Sequence, residues 1–145
     1  MKITICGSIA FYDEMLDAKN ILEGMGHEID LPPAKIKNEN GEEIDVKEYY
    51  RIRKENDENW IWERKREAIK RHFDKIVWAD AILVLNHPKN GIEGYVGANT
   101  LMEMGLSLHL SKPIFLLNEI PEISYKEELL GMQPIIINND LNKIC

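Results

Sequence analysis

The run Asp80-Ala-Ile-Leu-Val-Leu-Asn86 (residues 80–86) is apolar at every position between its two polar ends. A strand that is apolar on both faces is typical of the centre of a parallel sheet covered by helices on each side. Four other short runs are predicted as strands: Lys2–Cys6, His27–Leu31, Ile114–Leu117 and Gln133–Ile137. The sequence therefore predicts five strands, with residues 80–86 in the middle of the sheet.

Segments with helical spacing separate these strands. Apolar residues recur at helical intervals from Phe11 to Met25 and again from Ile61 to Val77. Further helices are predicted over Asn99–Leu110 and Ser124–Gly131, and the charged stretch before Asn59 is compatible with a separate short helix. Because strands alternate with helices, we predict an α/β protein with a three-layer α/β/α architecture. Its sheet should be a flavodoxin-like, doubly wound, five-stranded parallel sheet, and residues 1–145 should form a single domain.

The polar segment Ala34–Val46 has no periodic pattern of its own, so we predict a surface loop. Loops of this length within a compact domain are usually functional or mobile. Two interpretations remain open for it: a lid or wall of a ligand pocket, or a passive insertion.

The amino-acid composition indicates which binding partners the protein is not expected to have. The 145 residues carry a net charge of −7, which argues against binding to a nucleic-acid polymer because such proteins present a basic surface. No apolar run approaches the ~18 residues of a membrane span, and no signal peptide is visible. We therefore expect a cytoplasmic protein without a membrane partner. Cys6 and Cys145 show no metal-ligand spacing, so neither a metal nor another cofactor is predicted, and Cys6 should be a small core residue.

Two loops lie where a doubly wound sheet binds its ligand, beyond the carboxyl ends of the strands. The turn Gly7-Ser8-Ile9 follows the first strand and opens a helix, where backbone N–H groups favour an anion. Ser8 could equally be no more than a helix-capping residue. The second loop runs from Asn86 to Asn99, contains three glycines and also ends at the start of a helix.

Glu103 is the single charged residue between Glu93 and Lys112, and Leu and Met surround it. With Asn99 or Thr100 as N-cap, Glu103 lies about one turn into its helix, where the helix dipole favours the carboxylate and burial opposes it. A poorly solvated carboxylate of this kind is a candidate nucleophile. The alternative is an ordinary Glu on the exposed stripe of an amphipathic helix.

Four short motifs occur in a characteristic order between residue 2 and about residue 117: Gly7-Ser8-Ile9, Ala79-Asp80 before an apolar strand, Glu103-Met-Gly105 on a helix, and Ser111-Lys112-Pro113. Together they resemble the nucleoside 2-deoxyribosyltransferase superfamily. Its members exchange bases between deoxynucleosides or hydrolyse the N-glycosidic bond of nucleoside 5′-monophosphates. The resemblance implies a flavodoxin-like fold, no metal, and a homodimer or larger homo-oligomer in which a neighbouring subunit completes the site. The segment 119–133 is our candidate for that contribution.

The resemblance also implies roles for individual residues. Glu103 would attack the anomeric carbon, expel the base and form a glycosyl ester. The sugar or phosphate would lie against residues of the two loops, namely Gly7, Ser8, Ile9, Asn86, Gly97 and Asn99. The usual aspartate that assists the departing base is replaced here by His72, so either His72 transfers the proton at a near-neutral pKa or Asp74 takes that role. As a lone histidine on the apolar side of a helix, His72 could also be a plain core residue.

The substrate's phosphorylation state stays open at this point. The hydrolases of the superfamily follow Gly-Ser-Ile with an Arg and further glycines that hold phosphate, whereas Ala10-Phe-Tyr-Asp13 follows here. Tyr12 could instead hydrogen-bond a sugar or the nucleophile. We therefore predict an enzyme that cleaves or transfers the N-glycosidic bond of a (deoxy)nucleoside or nucleoside monophosphate. The alternative is a non-catalytic nucleotide-binding sensor or regulatory module on the same scaffold.

Overall fold

The computed structural model describes residues 1–144, which form a five-stranded parallel sheet, a separate two-stranded hairpin and five α-helices. The strands are β1 (Lys2–Gly7), β2 (Glu28–Asp30), β3 (Lys35–Lys37), β4 (Glu43–Asp45), β5 (Ala81–Leu85), β6 (Ile114–Leu116) and β7 (Ile135–Ile136). The helices are α1 (Tyr12–Gly24), α2 (Val46–Glu55), α3 (Asn59–Trp78), α4 (Ala98–His109) and α5 (Lys126–Gly131), with short 3-10 helices at Ile9–Phe11 and Leu141–Lys143.

The sheet has the order β2-β1-β5-β6-β7, and every neighbouring pair of strands is parallel. All five residues of β5 are buried, which matches its predicted place at the centre of the sheet. Strand β5 pairs with β1 on one side and with β6 on the other, so the strand order reverses between β1 and β5. The predicted flavodoxin-like, doubly wound α/β/α fold is confirmed.

Side chains of β1 alternate between two apolar layers, as expected for a strand covered on both faces. Ile3 and Ile5 point into the α1-side core, a buried cluster that includes Met15 and Leu22 of α1. Cys6 points the other way, into the α4-side core, which includes Met104 of α4. Helices α3, α4 and α5 all contribute to that second cluster, so the functional groups on α3 and α4 lie over the same face of the sheet.

The segment 34–46, predicted as a loop, forms the antiparallel hairpin β3–β4 and the first residue of α2. The prediction was wrong because each strand is only three residues long, with one apolar residue between charged neighbours. The turn follows the ordinary chemistry of Asn and Gly: the Asn38 side chain accepts hydrogen bonds from the N–H groups of Asn40 and Glu42, and Gly41 has φ +78°. Ile36 is buried against Tyr49 and Ile61 in a third, smaller cluster.

Helix α3 ends at a cluster of carbonyl groups that Lys112 satisfies. Its Nζ donates to the carbonyl oxygens of Ile76, Val77 and Ala79 at 2.8, 2.5 and 2.6 Å. A cation at the carboxyl end of a helix also interacts favourably with the helix dipole. The lysine of the Ser-Lys-Pro motif therefore joins the end of α3 to the start of β6. No helix within residues 1–144 is both long and apolar enough to cross a membrane.

Candidate functional site

A cavity opens beside the carboxyl end of β1, between the first turn and the helices α3 and α4. Gly7 and Ile9 border it from the turn, His72 and Phe73 from α3, and Glu103 from α4. The outer wall comes from the hairpin and from α2, with Pro32, Pro33, Ile36, Val46, Tyr49 and Tyr50. Of the two interpretations for the segment 34–46, the structure agrees with the wall of a pocket.

The Gly7 backbone is what allows the turn to approach β5 so closely. Its φ is +149°, and a Cβ atom built at this position would lie 2.9 Å from the carbonyl oxygen of Leu85. A side chain here would therefore clash with the neighbouring strand and strain the backbone. The first turn thus depends on glycine, and it places Ile9 at the rim of the cavity.

Glu103 lies at the inner end of this cavity and is only 8% exposed. Helix α4 begins at Ala98 with Gly97 as its N-cap, so the prediction of Asn99 or Thr100 as N-cap was wrong. Glu103 is consequently the sixth residue of the helix, beyond the first turn where the dipole acts most strongly. Burial raises the pKa of the Glu103 carboxyl to about 8, with a smaller opposing effect from the charge of Lys65. Desolvation therefore favours the uncharged form of Glu103 at neutral pH.

His72 faces Glu103 across the gap between α3 and α4. Its Nε2 lies 3.1 Å from Glu103 Oε2, and both side chains are buried. Burial, followed by the charge of Lys75, lowers the pKa of the His72 imidazole to about 4. The near-neutral pKa expected for His72 was therefore wrong, because the loss of water and the charge of Lys75 outweigh the opposing effect of Asp30. One proton is held between the two groups, and its favoured place is on the carboxyl.

Cys6 completes a cluster of three buried polar groups. Its Sγ lies 3.5 Å from the same Nε2 of His72. Burial raises the pKa of the Cys6 thiol well above its usual range, and Glu103 adds to that effect. Within the described residues, nothing offers the other ring nitrogen of His72, Nδ1, a hydrogen-bond partner.

Five residues predicted for the site line this cavity. Gly7, Ile9, Asn99 and Glu103 line it, and they come from the two loops and the helix that the sequence singled out. His72 joins them from α3, so the structure brings the predicted nucleophile and one of its two predicted proton donors together. The structure places these residues at one cavity, and their chemical roles stay a prediction.

The other predicted residues lie elsewhere. Asp74 is exposed on α3 and does not border the cavity, so its position does not favour the alternative in which it serves as proton donor. Tyr12 packs against the α1-side core, on the face of the sheet opposite to Glu103. Gly97 caps α4 without lining the cavity.

The Asn86 side chain forms hydrogen bonds that have a structural role in this protein. Its side-chain amide is buried and donates to the carbonyl groups of Gly94, Asn118 and Glu119, and its Oδ1 accepts from the Asn118 N–H. These bonds join the loop after β5 to the loop after β6. Asn86 therefore holds together the two loops at the carboxyl edge of the sheet, and its amide is already satisfied without a ligand.

Two lysines near the site were not predicted as site residues from the sequence. Lys89 Nζ donates to Ser8 Oγ at 2.8 Å, which brings a cation to the first turn from a loop 81 residues further along the chain. The Ser8 hydroxyl also accepts from the Ala10 N–H, as a capping residue does. Lys65 borders the cavity, and burial lowers the pKa of its amine. The signal for Lys89 was its position in the loop after β5, which meets the first turn at the same sheet edge.

Comparisons with known proteins agree with this architecture. No protein-family model matches the chain, and no curated protein matches its sequence. The 2-deoxyribosyltransferase of the psychrotolerant bacterium Bacillus psychrosaccharolyticus is 19% identical, over 81% of this chain and 72% of its own, with a TM-score of 0.52. The CMP N-glycosidase BcmB of Clostridium botulinum is 17% identical, over 95% of this chain and 90% of its own, with a TM-score of 0.50. Both matches show that the chain shares its fold with these two proteins.

Proposed function

We propose that this protein cleaves or transfers the N-glycosidic bond of a (deoxy)nucleoside or nucleoside monophosphate, with Glu103 as the nucleophile. The observation that carries the proposal is the contact between Glu103 Oε2 and His72 Nε2, 3.1 Å apart at the inner end of a cavity. A base within hydrogen-bonding distance of a buried carboxyl can accept its proton and so produce a nucleophilic carboxylate. The fold shared with a deoxyribosyltransferase and an N-glycosidase is a second, weaker support.

The proton between the two groups has a defined path in this proposal. As the C–N bond begins to break, positive charge develops on the sugar and favours a carboxylate at Glu103, so the Glu103 proton moves to His72 Nε2 and leaves a carboxylate beside an imidazolium. The carboxylate attacks the anomeric carbon, and the electron pair of the breaking C–N bond leaves with the base. The imidazolium then returns the same proton to the departing base, so that His72 ends neutral. Water or a second base releases the sugar from Glu103 in the following step.

The walls of the cavity suit a flat, mostly apolar group. Tyr49, Tyr50, Phe73 and Met102 supply aromatic and thioether surface, which fits a nucleobase more readily than it fits a highly hydrated ligand. The sugar would lie between this surface and the first turn, since Gly7 and Glu103 border the same cavity. In this arrangement the base lies against the outer wall of the cavity, and the reacting C–N bond lies at the inner end.

Base release is the direct test of the proposal. Purified protein is incubated with deoxynucleosides, ribonucleosides and their 5′-monophosphates, and free base is measured by chromatography. We expect release from at least one of these substrates, and its loss in Glu103→Gln. Glu63→Gln is the matched control, since it makes the same substitution at an exposed position of α3. Binding of nucleotides without release of base from any substrate would favour a sensor or regulatory module instead.

The pair Ser8 and Lys89 allows phosphorylated and free substrates to be distinguished. A 5′-phosphate held at the first turn would take its positive charge from Lys89, because this side chain already reaches Ser8 Oγ. For a monophosphate substrate, Lys89→Met should raise KM roughly tenfold or more, the cost of one charge-assisted hydrogen bond. The same variant should leave KM unchanged for a free nucleoside.

A further inference from the structure

Three different metal-ligating groups meet beneath the cavity. Cys6 Sγ, His72 Nε2 and a carboxylate oxygen of Glu103 lie within 4.8 Å of one another, and all three residues are buried. They come from β1, α3 and α4, and are separated by 66 and 31 positions along the chain. That separation is why the sequence showed no metal-ligand spacing: only the fold brings the three groups together.

The cluster has more hydrogen-bonding groups than it can satisfy internally. His72 Nε2 carries either one lone pair or one proton, so it can form one full hydrogen bond. Two groups nevertheless approach it, Glu103 Oε2 at 3.1 Å and Cys6 Sγ at 3.5 Å. A buried polar group without a full partner costs free energy, and the cluster therefore favours a ligand that can accept electron pairs from all three atoms.

Two of the three distances lie at or near those between ligands of a tetrahedral metal ion. With metal–sulfur bonds of about 2.3 Å and metal–nitrogen or metal–oxygen bonds of about 2.1 Å, neighbouring ligand atoms lie about 3.3 to 3.6 Å apart. The observed separations are 3.5 Å for sulfur and nitrogen and 3.1 Å for nitrogen and oxygen. The third pair, Cys6 Sγ and the Glu103 carboxylate, lies within 4.8 Å, so an adjustment of the Glu103 side chain would place an ion between the three atoms.

We propose that Cys6 Sγ, His72 Nε2 and the Glu103 carboxylate form a binding site for Zn²⁺. A thiolate and an imidazole select zinc or a similar soft transition metal over Mg²⁺ and Ca²⁺, which prefer oxygen ligands. The fourth position of the ion would face the cavity that His72 and Glu103 line. On binding, the thiol and the carboxyl each release a proton to solvent, and His72 binds as a neutral imidazole. The two negative ligands balance the charge of the ion.

Zinc at this site would inhibit base release, because the lone pairs of Glu103 would be bound to the metal instead of attacking a sugar. This consequence rests on the proposed function, whereas the binding of Zn²⁺ does not. A substrate that fills the cavity should in turn slow the exchange of the ion, since Glu103 and His72 both border that cavity.

Metal binding is tested on protein freed of metal by a chelator, without any measurement of activity. Titration with Co²⁺ should give one tightly bound equivalent with tetrahedral d–d bands and a thiolate-to-cobalt charge-transfer band. Zn²⁺ should abolish these bands, and Mg²⁺ should not. A Co²⁺ complex without a thiolate band would overturn the proposal, and this result needs no variant. Absence of a tightly bound equivalent would overturn it as well.

Variants of the two cysteines identify the ligand. Cys6→Ala should remove the charge-transfer band and weaken Zn²⁺ by at least the roughly 10- to 100-fold that loss of an outer-shell partner costs at metal sites. Cys6→Ser, checked for folding by circular dichroism, should do the same if the alanine variant is unstable. Cys145→Ser removes the other thiol of the chain and should keep both the band and the affinity. Unchanged affinity in a folded Cys6 variant would contradict the assignment.

The activity measurement separates this proposal from the proposed function. Base release by the metal-free protein should fall as one equivalent of Zn²⁺ is added, and a chelator should restore it. In Cys6→Ala, the Zn²⁺ concentration for half-inhibition should rise by the same factor as the dissociation constant. If no base is released under any condition while Co²⁺ still binds through Cys6, the proposed function fails and the metal site stands. If base is released and Zn²⁺ at one equivalent leaves it unchanged, the inhibitory role fails.

Discussion

The stability of Glu103→Gln relative to the natural protein should depend strongly on pH. Burial raises the pKa of the Glu103 carboxyl from 4.5 to about 8. Below pH 4.5 both the folded and the unfolded chain hold the proton, and between pH 4.5 and 8 only the folded chain does. The contribution of Glu103 to stability is therefore present at low pH and lost as the pH rises through 8. Glutamine has the same shape and never ionises, so the stability of Glu103→Gln should not fall in this way as the pH rises.

The magnitude follows from the size of the pKa change. At about 1.4 kcal/mol per pH unit, a rise from 4.5 to about 8 corresponds to on the order of 4 to 5 kcal/mol between pH 4 and pH 9. That is a large share of the ~5 to 15 kcal/mol by which a typical domain is stable. The lowered pKa of His72 acts in the opposite sense, with stability lost as the pH falls from 6.5 towards 4. This His72 effect is confined to pH values below about 7, so the change in the difference between pH 7 and pH 9 is due to Glu103.

Urea denaturation followed by tryptophan fluorescence, at one-unit intervals from pH 5 to pH 9 in a chelating buffer, measures this difference. We expect Glu103→Gln to gain several kcal/mol over the natural protein by pH 9. Glu127→Gln, which removes an exposed carboxylate from α5, is the matched control and should give a nearly constant difference. If the Glu103→Gln difference is also constant across this range, Glu103 is ionised in the folded protein at neutral pH and the argument from burial is refuted.

Further predictions concern the residues around the site. His72→Asn should lower kcat for base release by about 10² to 10⁴ while KM changes little, because the proton acceptor is lost and the cavity wall remains; equal kcat values in steady-state assays would exclude a proton-transfer role. Lys112→Met should reduce the free energy of unfolding by roughly 2 to 4 kcal/mol, since three carbonyl groups at the end of α3 lose a charged donor; a loss below about 0.5 kcal/mol in urea melts would contradict this. Gly7→Ala should destabilise by roughly 1 to 3 kcal/mol and lower base release, because its methyl group would lie 2.9 Å from the carbonyl oxygen of Leu85; thermal melts and the chromatographic assay measure both effects.

The sheet could be predicted from the sequence because its signals are local. Four strands of the five-stranded sheet are short apolar runs, and the run 80–86 is apolar on both faces because it is buried on both. Strand β2 has a single apolar residue, Ile29, and was predicted from its place between a helical segment and Pro32-Pro33. The hairpin β3–β4 was missed since its strands carry one apolar residue each, Ile36 and Ile44. Such a pattern is too short to reveal its period, and only packing against Tyr49 and Ile61 gives the hairpin its place.

Individual residues of the candidate site could be predicted from the sequence, but the contacts between them could not. Glu103 stood out as a lone charge in an apolar helix, and His72 as a polar residue on an apolar face. Their contact depends on how closely α3 and α4 pack on one side of the sheet, and Cys6 joins them because of the strand register of β1. The link between Lys89 and Ser8 depends in the same way on two loops meeting at one edge. The predicted homo-oligomer and the contribution of segment 119–133 remain predictions, which sedimentation analysis would test.

The central claim, that Glu103 forms a covalent bond with the sugar, can be measured directly by trapping. The metal-free protein is incubated with 2-fluoro-substituted nucleosides and their 5′-monophosphates, since the fluorine slows release of the sugar from the enzyme more than it slows binding. Intact mass spectrometry and peptide mapping then locate the adduct. We predict one fluoro-sugar per chain on the peptide that contains Glu103, and none in Glu103→Gln. Base release from ordinary substrates together with an adduct on another residue, or with no adduct at all, would contradict the account.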